Sequence, residues 1–337
     1  MFSSYDLARE CDVVFSEVLS VNQFKKLDEK NLHILEETND YIFYKKKNFV
    51  LKENDVIFTH SGNLGNLFKL LKNVNKKMNL TLVSHQSDKM IDRKNFKRKP
   101  ECILNWFALN VDHLDDRLNS LPLGLANQHS YKKNIMKDQI PKNIDLKQYK
   151  AKEKLVYINF TESTNHEERG WIKDYFSSFS WASIEKDELS IEQYINKIRE
   201  SSFVICPWGN GVDSHRIWEV LSLGSIPIVK KHITFENLSK LPILFVEDFK
   251  EVNDKVLYDF LLKIENGKDF NLSLLSSEYW INYIKKDKIL GEETITIVES
   301  NTISYFYFIR TFFRVRLNSY SKKINYYIRK IKQIGSR

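Results

Sequence analysis

Apolar residues in this chain come in short runs separated by polar stretches. Asp12 to Phe15, Tyr41 to Tyr44, Val56 to Thr59 and Leu80 to Ser84 read as strands, Leu104 to Leu109 is a weaker run of the same kind, and Leu64 to Val74 carries helical spacing between them. Gln128 to Lys154 then loses apolar periodicity and is rich in Lys, Asn and Gln, as a connection between domains is. The pattern resumes with a strand at Leu155 to Phe160, helices near Glu167 to Phe176 and Ile191 to Glu200, and strands at Phe203 to Cys206, Ile226 to Val229 and Ile243 to Val246. Short apolar strands alternating with helices call for parallel sheets covered on both faces, because parallel neighbours need crossover connections. The expectation is an α/β protein of two Rossmann-like domains facing each other across a cleft. It has residues 1–150 on the acceptor side, 151–298 on the nucleotide side and a tail at 299–337.

With 337 residues and 42% hydrophobic content the chain can fill two cores. Cys11, Cys102 and Cys206 are scattered and odd in number, which fits a reducing compartment better than a disulfide framework. Neither a signal-peptide pattern nor a long apolar span is visible, so a cytoplasmic location is expected. The net charge of +8 is uneven: Ile303 to Arg337 holds nine basic residues and no acidic one, leaving the rest at about −1. Ile309, Phe313, Leu317, Tyr320, Ile324, Tyr327, Ile331 and Ile334 form one apolar helical stripe there. Such a basic amphipathic helix suits an anionic membrane surface at the inner face of the membrane, or packs on the protein itself. Nucleic acid is not expected as a partner, since no recognisable module accompanies the tail.

The densest chemistry lies in Ser202 to Val229. A strand leads through a turn with Gly209 and Gly211 into a helix for which Asp213 or Ser214 is the natural N-cap, and Gly224 closes it. Ile217, Val220 and Leu221 fall on the sheet side, while His215, Arg216 and Glu219 fall on or beside the other. Glycines and a helix N-terminus favour a diphosphate, Arg216 and His215 add donors, and Glu219 can accept from ribose hydroxyls. The same residues read blandly as a helix ion pair and an ordinary turn.

The run D-S-H-R-I-W-E-V-L-S-L-G-S-I-P-I-V, Asp213 to Val229, resembles the donor-binding motif of exostosin-like glycosyltransferases, most of all the ribitol xylosyltransferase type. Tyr157 to Gly170 is similar to the first strand and loop of that family's C-terminal domain. Leu80 to Asp88, Asn105 to Asp112 and Leu121 to Asn127 resemble its N-terminal strand, bridging and linker elements. The resemblance implies the GT-B architecture and a nucleotide-sugar donor, UDP favoured, with GDP-fucose as the alternative because fucosyltransferases share part of the signature. The expected acceptor is a hydroxyl of a glycan or lipid-linked glycan, and transfer is expected to invert the anomeric carbon. Thr161, Ser163, Thr164 and Arg169 are then expected beside the diphosphate, together with the Gly209 to Arg216 segment.

A catalytic base is expected from the first half, where His60, His85 and Asp88 follow strands. No Asp-x-Asp occurs, and His166-Glu167-Glu168-Arg169 lacks the second His of a zinc helix, so neither metal nor other cofactor is expected. The other class of function open to such a fold is a glycan- or nucleotide-binding protein without turnover.

Overall fold

The computed structural model describes residues 1–299 apart from 28–30, 128, 131–138, 142, 186, 188, 268, 287, 290. The basic segment Ile303 to Arg337 lies outside the described residues.

The first half is built on a seven-stranded sheet. Its strands are β1 (Val13–Ser20), β2 (Leu32–Glu37), β3 (Tyr41–Lys46), β5 (Val56–His60), β6 (Leu80–His85), β8 (Ile103–Ala108) and β10 (Leu118–Ser120), in the order β10-β8-β6-β5-β1-β3-β2. Short pairs β4 (Asn48–Lys52) with β16 (Thr294–Val298), and β7 (Ile91–Asp92) with β9 (Val111–Asp112), complete it. From β10 to β1 every neighbour is parallel. Beyond β1 the sheet turns antiparallel, a departure from the all-parallel expectation. The cause is local: the Thr38 hydroxyl accepts from Asp40 N at 3.2 Å and Tyr41 N at 3.1 Å, closing a turn too short for any crossover.

Residues of the central strands alternate between two cores. Val56 and Phe58 face one apolar cluster and Ile57 the other. One face is covered by helix Leu64–Leu71, whose Leu64, Leu67 and Leu71 are buried. On the other lie helix Ser4–Arg9 and the late helix Ser277–Lys285, joined by Ser3 N donating to Ser277 Oγ at 2.9 Å. The chain then pairs β16 with β4 over five residues, and Lys45 makes a buried ion pair with Glu299. Helix Ser277–Lys285 and β16, which follow the second sheet in sequence, therefore pack on the first.

The second sheet is wholly parallel. It comprises β11 (Lys154–Ile158), β12 (Ala182–Ile184), β13 (Ser201–Ile205), β14 (Ile226–Lys230) and β15 (Leu244–Val246), in the order β12-β11-β13-β14-β15. The helix expected at Glu167 to Phe176 is two short pieces, His166–Arg169 and Ile172–Phe176, divided at Gly170 and Trp171. Helix Ile191–Arg199 opens with a Ser190/Gln193 capping box.

Candidate active site

The strand order of the second sheet reverses between β11 and β13, since the chain goes first to one side of β11 and then to the other. In open α/β sheets ligands bind beyond the carboxyl ends of the strands at such a reversal. The two loops at that point are the one after β11, with Thr161, Ser163 and Thr164, and the one after β13, with Gly209 to Ser214. The structure brings the sequence candidates together here, yet several act differently from their expected roles.

Thr161, Ser163 and Thr164 are exposed. Arg169 is buried, and its guanidinium donates to Trp208 O at 2.7 Å, Thr161 O at 3.0 Å and Pro207 O at 3.2 Å. It ties the two loops together through backbone carbonyls. Asn165 adds a bond from Nδ2 to Gly209 O at 3.1 Å.

The glycines serve close packing. Gly209 N donates to Gly211 O at 3.0 Å, making a tight turn. A β-carbon at Gly211 would stand 2.7 Å from Asn110 Nδ2, a contact that side chains do not tolerate. Gly224, at φ +71°, ends the helix His215–Ser222 as its sequence position foretold.

Ser214 occupies the N-cap position of that helix, but its hydroxyl makes no capping bond and is buried without a partner among the described residues. Asp213 caps nothing either. Its carboxylate accepts from Leu123 N at 2.8 Å and from Trp218 Nε1 at 2.9 Å, and its own N–H donates to Asn110 Oδ1 at 3.0 Å. Burial pushes the Asp213 carboxyl up to about 7. Both Leu123 and Asn110 belong to the first half, so Asp213 fastens the glycine loop to the first half.

Arg216 and Glu219 do not pair as a simple i, i+3 couple. Arg216 donates to Tyr194 OH at 3.2 Å, and Tyr194 OH donates to Glu219 Oε2 at 2.8 Å. The relay runs through helix Ile191–Arg199, with Glu219 almost wholly buried. His215 Nδ1 donates to Gly124 O at 2.8 Å, since a carbonyl only accepts.

In the first half His60 and His85 end adjacent parallel strands and are paired in register. With Asp88, His129 and His215 they line a cavity of about 480 Å³, so all three expected base candidates and one expected donor-side residue share one space. His85 has both ring nitrogens engaged: Nε2 donates to Pro122 O at 2.9 Å and Nδ1 accepts from Gln86 N at 2.7 Å. Burial lowers it to about 4, which keeps it neutral. His60 Nδ1 accepts from Gly62 N at 3.2 Å while its ring packs on Phe43, and burial lowers it to about 4 as well. Asp88 is exposed at the same cavity and makes no hydrogen bond among the described residues. His129 Nδ1 is buried without a partner among the described residues.

Asn110 and Tyr194 were not singled out from the sequence. Asn110 sits at φ +54°, and Asn is among the few residues that adopt that region readily, which is the one signal it offers. Tyr194 is an ordinary helix position until its contacts are known. Among the described residues, no group of three or more His, Cys, Asp or Glu stands close enough to hold a metal ion, and no helix is long and apolar enough to cross a membrane.

A parallel sheet with a glycine loop at its reversal point is Rossmann-like in fold. Residues 145–269 match the family model described as the RXYLT1 C-terminal domain, which relates this part of the chain to the ribitol xylosyltransferase type of glycosyltransferase. That match spans the whole second sheet. No curated protein matches the chain.

Proposed function

We propose that this protein is a glycosyltransferase that moves a sugar from a nucleotide diphosphate donor, UDP favoured, to a hydroxyl of a glycan or lipid-linked glycan. In this reading the two sheets are the halves of a GT-B enzyme. The observation that carries it is a juxtaposition: the helix that leaves the glycine loop of the second sheet, within the family match, contributes His215 to a cavity at the carboxyl ends of β5 and β6.

The donor's diphosphate takes the region between the Thr161–Thr164 hydroxyls and the start of helix His215–Ser222, where aligned peptide dipoles favour an anion. Arg169 positions both loops, and Arg216 stands behind them as a further cation. Glu219 and Tyr194 close the ribose end. Asp88 is assigned the base that accepts the proton from the attacking hydroxyl. His85 and His60 serve as neutral positioning residues, because their ring nitrogens already hold backbone groups. Attack from the side opposite the leaving nucleotide gives inversion.

Thermal denaturation of the full chain with UDP, GDP and CMP tests the donor assignment, because a ligand that binds only the folded state raises its melting temperature. UDP should raise it most, in EDTA as well as without. Asp88→Asn should keep that shift while sugar transfer falls about 10²- to 10⁴-fold. Retained transfer in Asp88→Asn removes Asp88 as base, and no shift with any nucleotide removes the whole reading.

A further inference from the structure

The cavity beside Asp88 has a lining that discriminates by charge. Its described side chains carry two carboxylates, Glu36 and Asp88, and no Lys or Arg. His60 and His85, two of the four histidines in its described lining, add no positive charge to offset them. Burial holds His60 and His85 near 4 and lowers His129 also. A phosphate monoester entering here meets two carboxylates and, among the described lining residues, no Lys or Arg to pair with.

The same cavity has an aromatic wall. Tyr41 and Phe43 are two apart on β3, so they point to one face while Ile42 and Tyr44 go to the core. Phe43 is steadied by the His60 ring at 4.4 Å, and Tyr41 by the His129 ring at 5.5 Å and a bond from its hydroxyl to Glu36 Oε1 at 2.8 Å. These aromatic faces are electron-rich, and the C–H groups of a sugar ring, made slightly positive by their oxygens, settle on them. The polar groups around the wall, including Asn127, Ser87 and the unpartnered His129 Nδ1, suit hydroxyls.

We propose that the cavity takes the acceptor as an uncharged sugar ring, stacked on Tyr41 and Phe43 with its nucleophilic hydroxyl toward Asp88, and that it rejects phosphorylated sugars. The inference rests on the glycosyltransferase reading. It makes the antiparallel extension of the first sheet the specificity element, since β3 supplies both rings.

Saturation-transfer NMR on the full chain loaded with UDP tests it, using methyl β-glucopyranoside, methyl β-galactopyranoside and glucose 6-phosphate as probes. The neutral glycosides should show transfer to their ring C–H protons, and the phosphate ester should show at least fivefold less. Phe43→Ala should cut the glycoside signal at least fivefold and leave the UDP-induced thermal shift unchanged. If Phe43→Ala fails to fold, Tyr41→Ala carries the same expectation. Equal or stronger signal from glucose 6-phosphate, no signal from the neutral glycosides, or an undiminished signal in the folded variant would overturn the inference. UDP binding in the wild type keeps these outcomes separate from failure of the donor reading.

Discussion

His85 and His215 hold one short loop from opposite sides. The first donates to Pro122 O at 2.9 Å and the second to Gly124 O at 2.8 Å, although one histidine ends a strand of the first sheet and the other begins a helix of the second. Leu123, between those carbonyls, donates its N–H to Asp213. Two successive residues, Leu123 and Gly124, thus join the two halves directly beside the cavity, while His85 holds the residue before them. Gly124 permits this at φ +75°, where a β-carbon would lie 2.6 Å from Phe2 O.

The His85 contact gives stability a pH dependence of known sign. Its folded-state value is depressed to about 4, so its contribution is fully present above the unfolded value near 6.5 and is lost as pH falls toward 4. Asp213, raised to about 7, works in the opposite sense, so the wild-type curve alone does not isolate the histidine. Urea unfolding of wild type and His85→Gln at pH 4 to 7 does. The stability difference between them should grow with pH by roughly 3 kcal/mol, and a flat difference would reject the buried neutral imidazole.

Gly211 and Asn110 should be energetically coupled. Gly211→Ala brings a β-carbon to 2.7 Å from Asn110 Nδ2 and should destabilise the fold by about 1–3 kcal/mol. In an Asn110→Gly background, where the obstructing amide is gone and positive φ is still allowed, the cost should drop below about 0.5 kcal/mol. Denaturant melts of the four proteins measure the coupling. Equal costs in both backgrounds would mean that the loop relaxes without regard to Asn110.

Tyr194→Phe removes the hydroxyl that links Arg216 to Glu219 and leaves a buried carboxylate short of a donor. Stability should fall by about 1–3 kcal/mol. If Glu219 closes the ribose end of the donor site, titration calorimetry should also show UDP affinity reduced about tenfold. Intact affinity in a destabilised variant would make the relay a structural one.

Removal of the basic segment is expected to abolish binding to anionic vesicles. Full-length protein should pellet with phosphatidylserine-containing liposomes at low salt and be released at about 0.5 M salt, where charges are screened within a few ångströms. A chain ending at Glu299 should remain in the supernatant. Pelleting that survives this truncation would move the membrane contact to the folded part of the protein.

The central strands were legible because each is a continuous apolar run buried on both faces, as at Val56 to Phe58 and Phe203 to Ile205. Strand β4 was not, because Asn48, Val50 and Lys52 face outward and only two of its residues are buried. It exists as a strand through pairing with β16, far along the chain. At the candidate site, the residues that the sequence singles out lie on the two loops at the reversal of the second sheet and on the helix that follows, and several make contacts that the sequence does not announce. Asp213 satisfies the local rule for an N-cap, but an amide 90 residues away and a Trp one turn on compete for its carboxylate and win. Arg169 looks like a phosphate ligand because residue type announces a cation, whereas its partners are backbone carbonyls, which every residue possesses. His60, His85 and Asp88 look alike as base candidates in sequence, and only the structure shows the two histidines engaged in hydrogen bonds and Asp88 exposed.

The pairing of β4 with β16 has a consequence for biosynthesis. About 245 residues separate the partners, and at a ribosomal rate of roughly 5–20 residues per second the earlier strand waits some tens of seconds for the later one to emerge. During that interval the outer edge of β4, with its row of unmet amides and carbonyls, is open to any other nascent chain, so this hairpin of distant segments is where co-translational misassembly should begin.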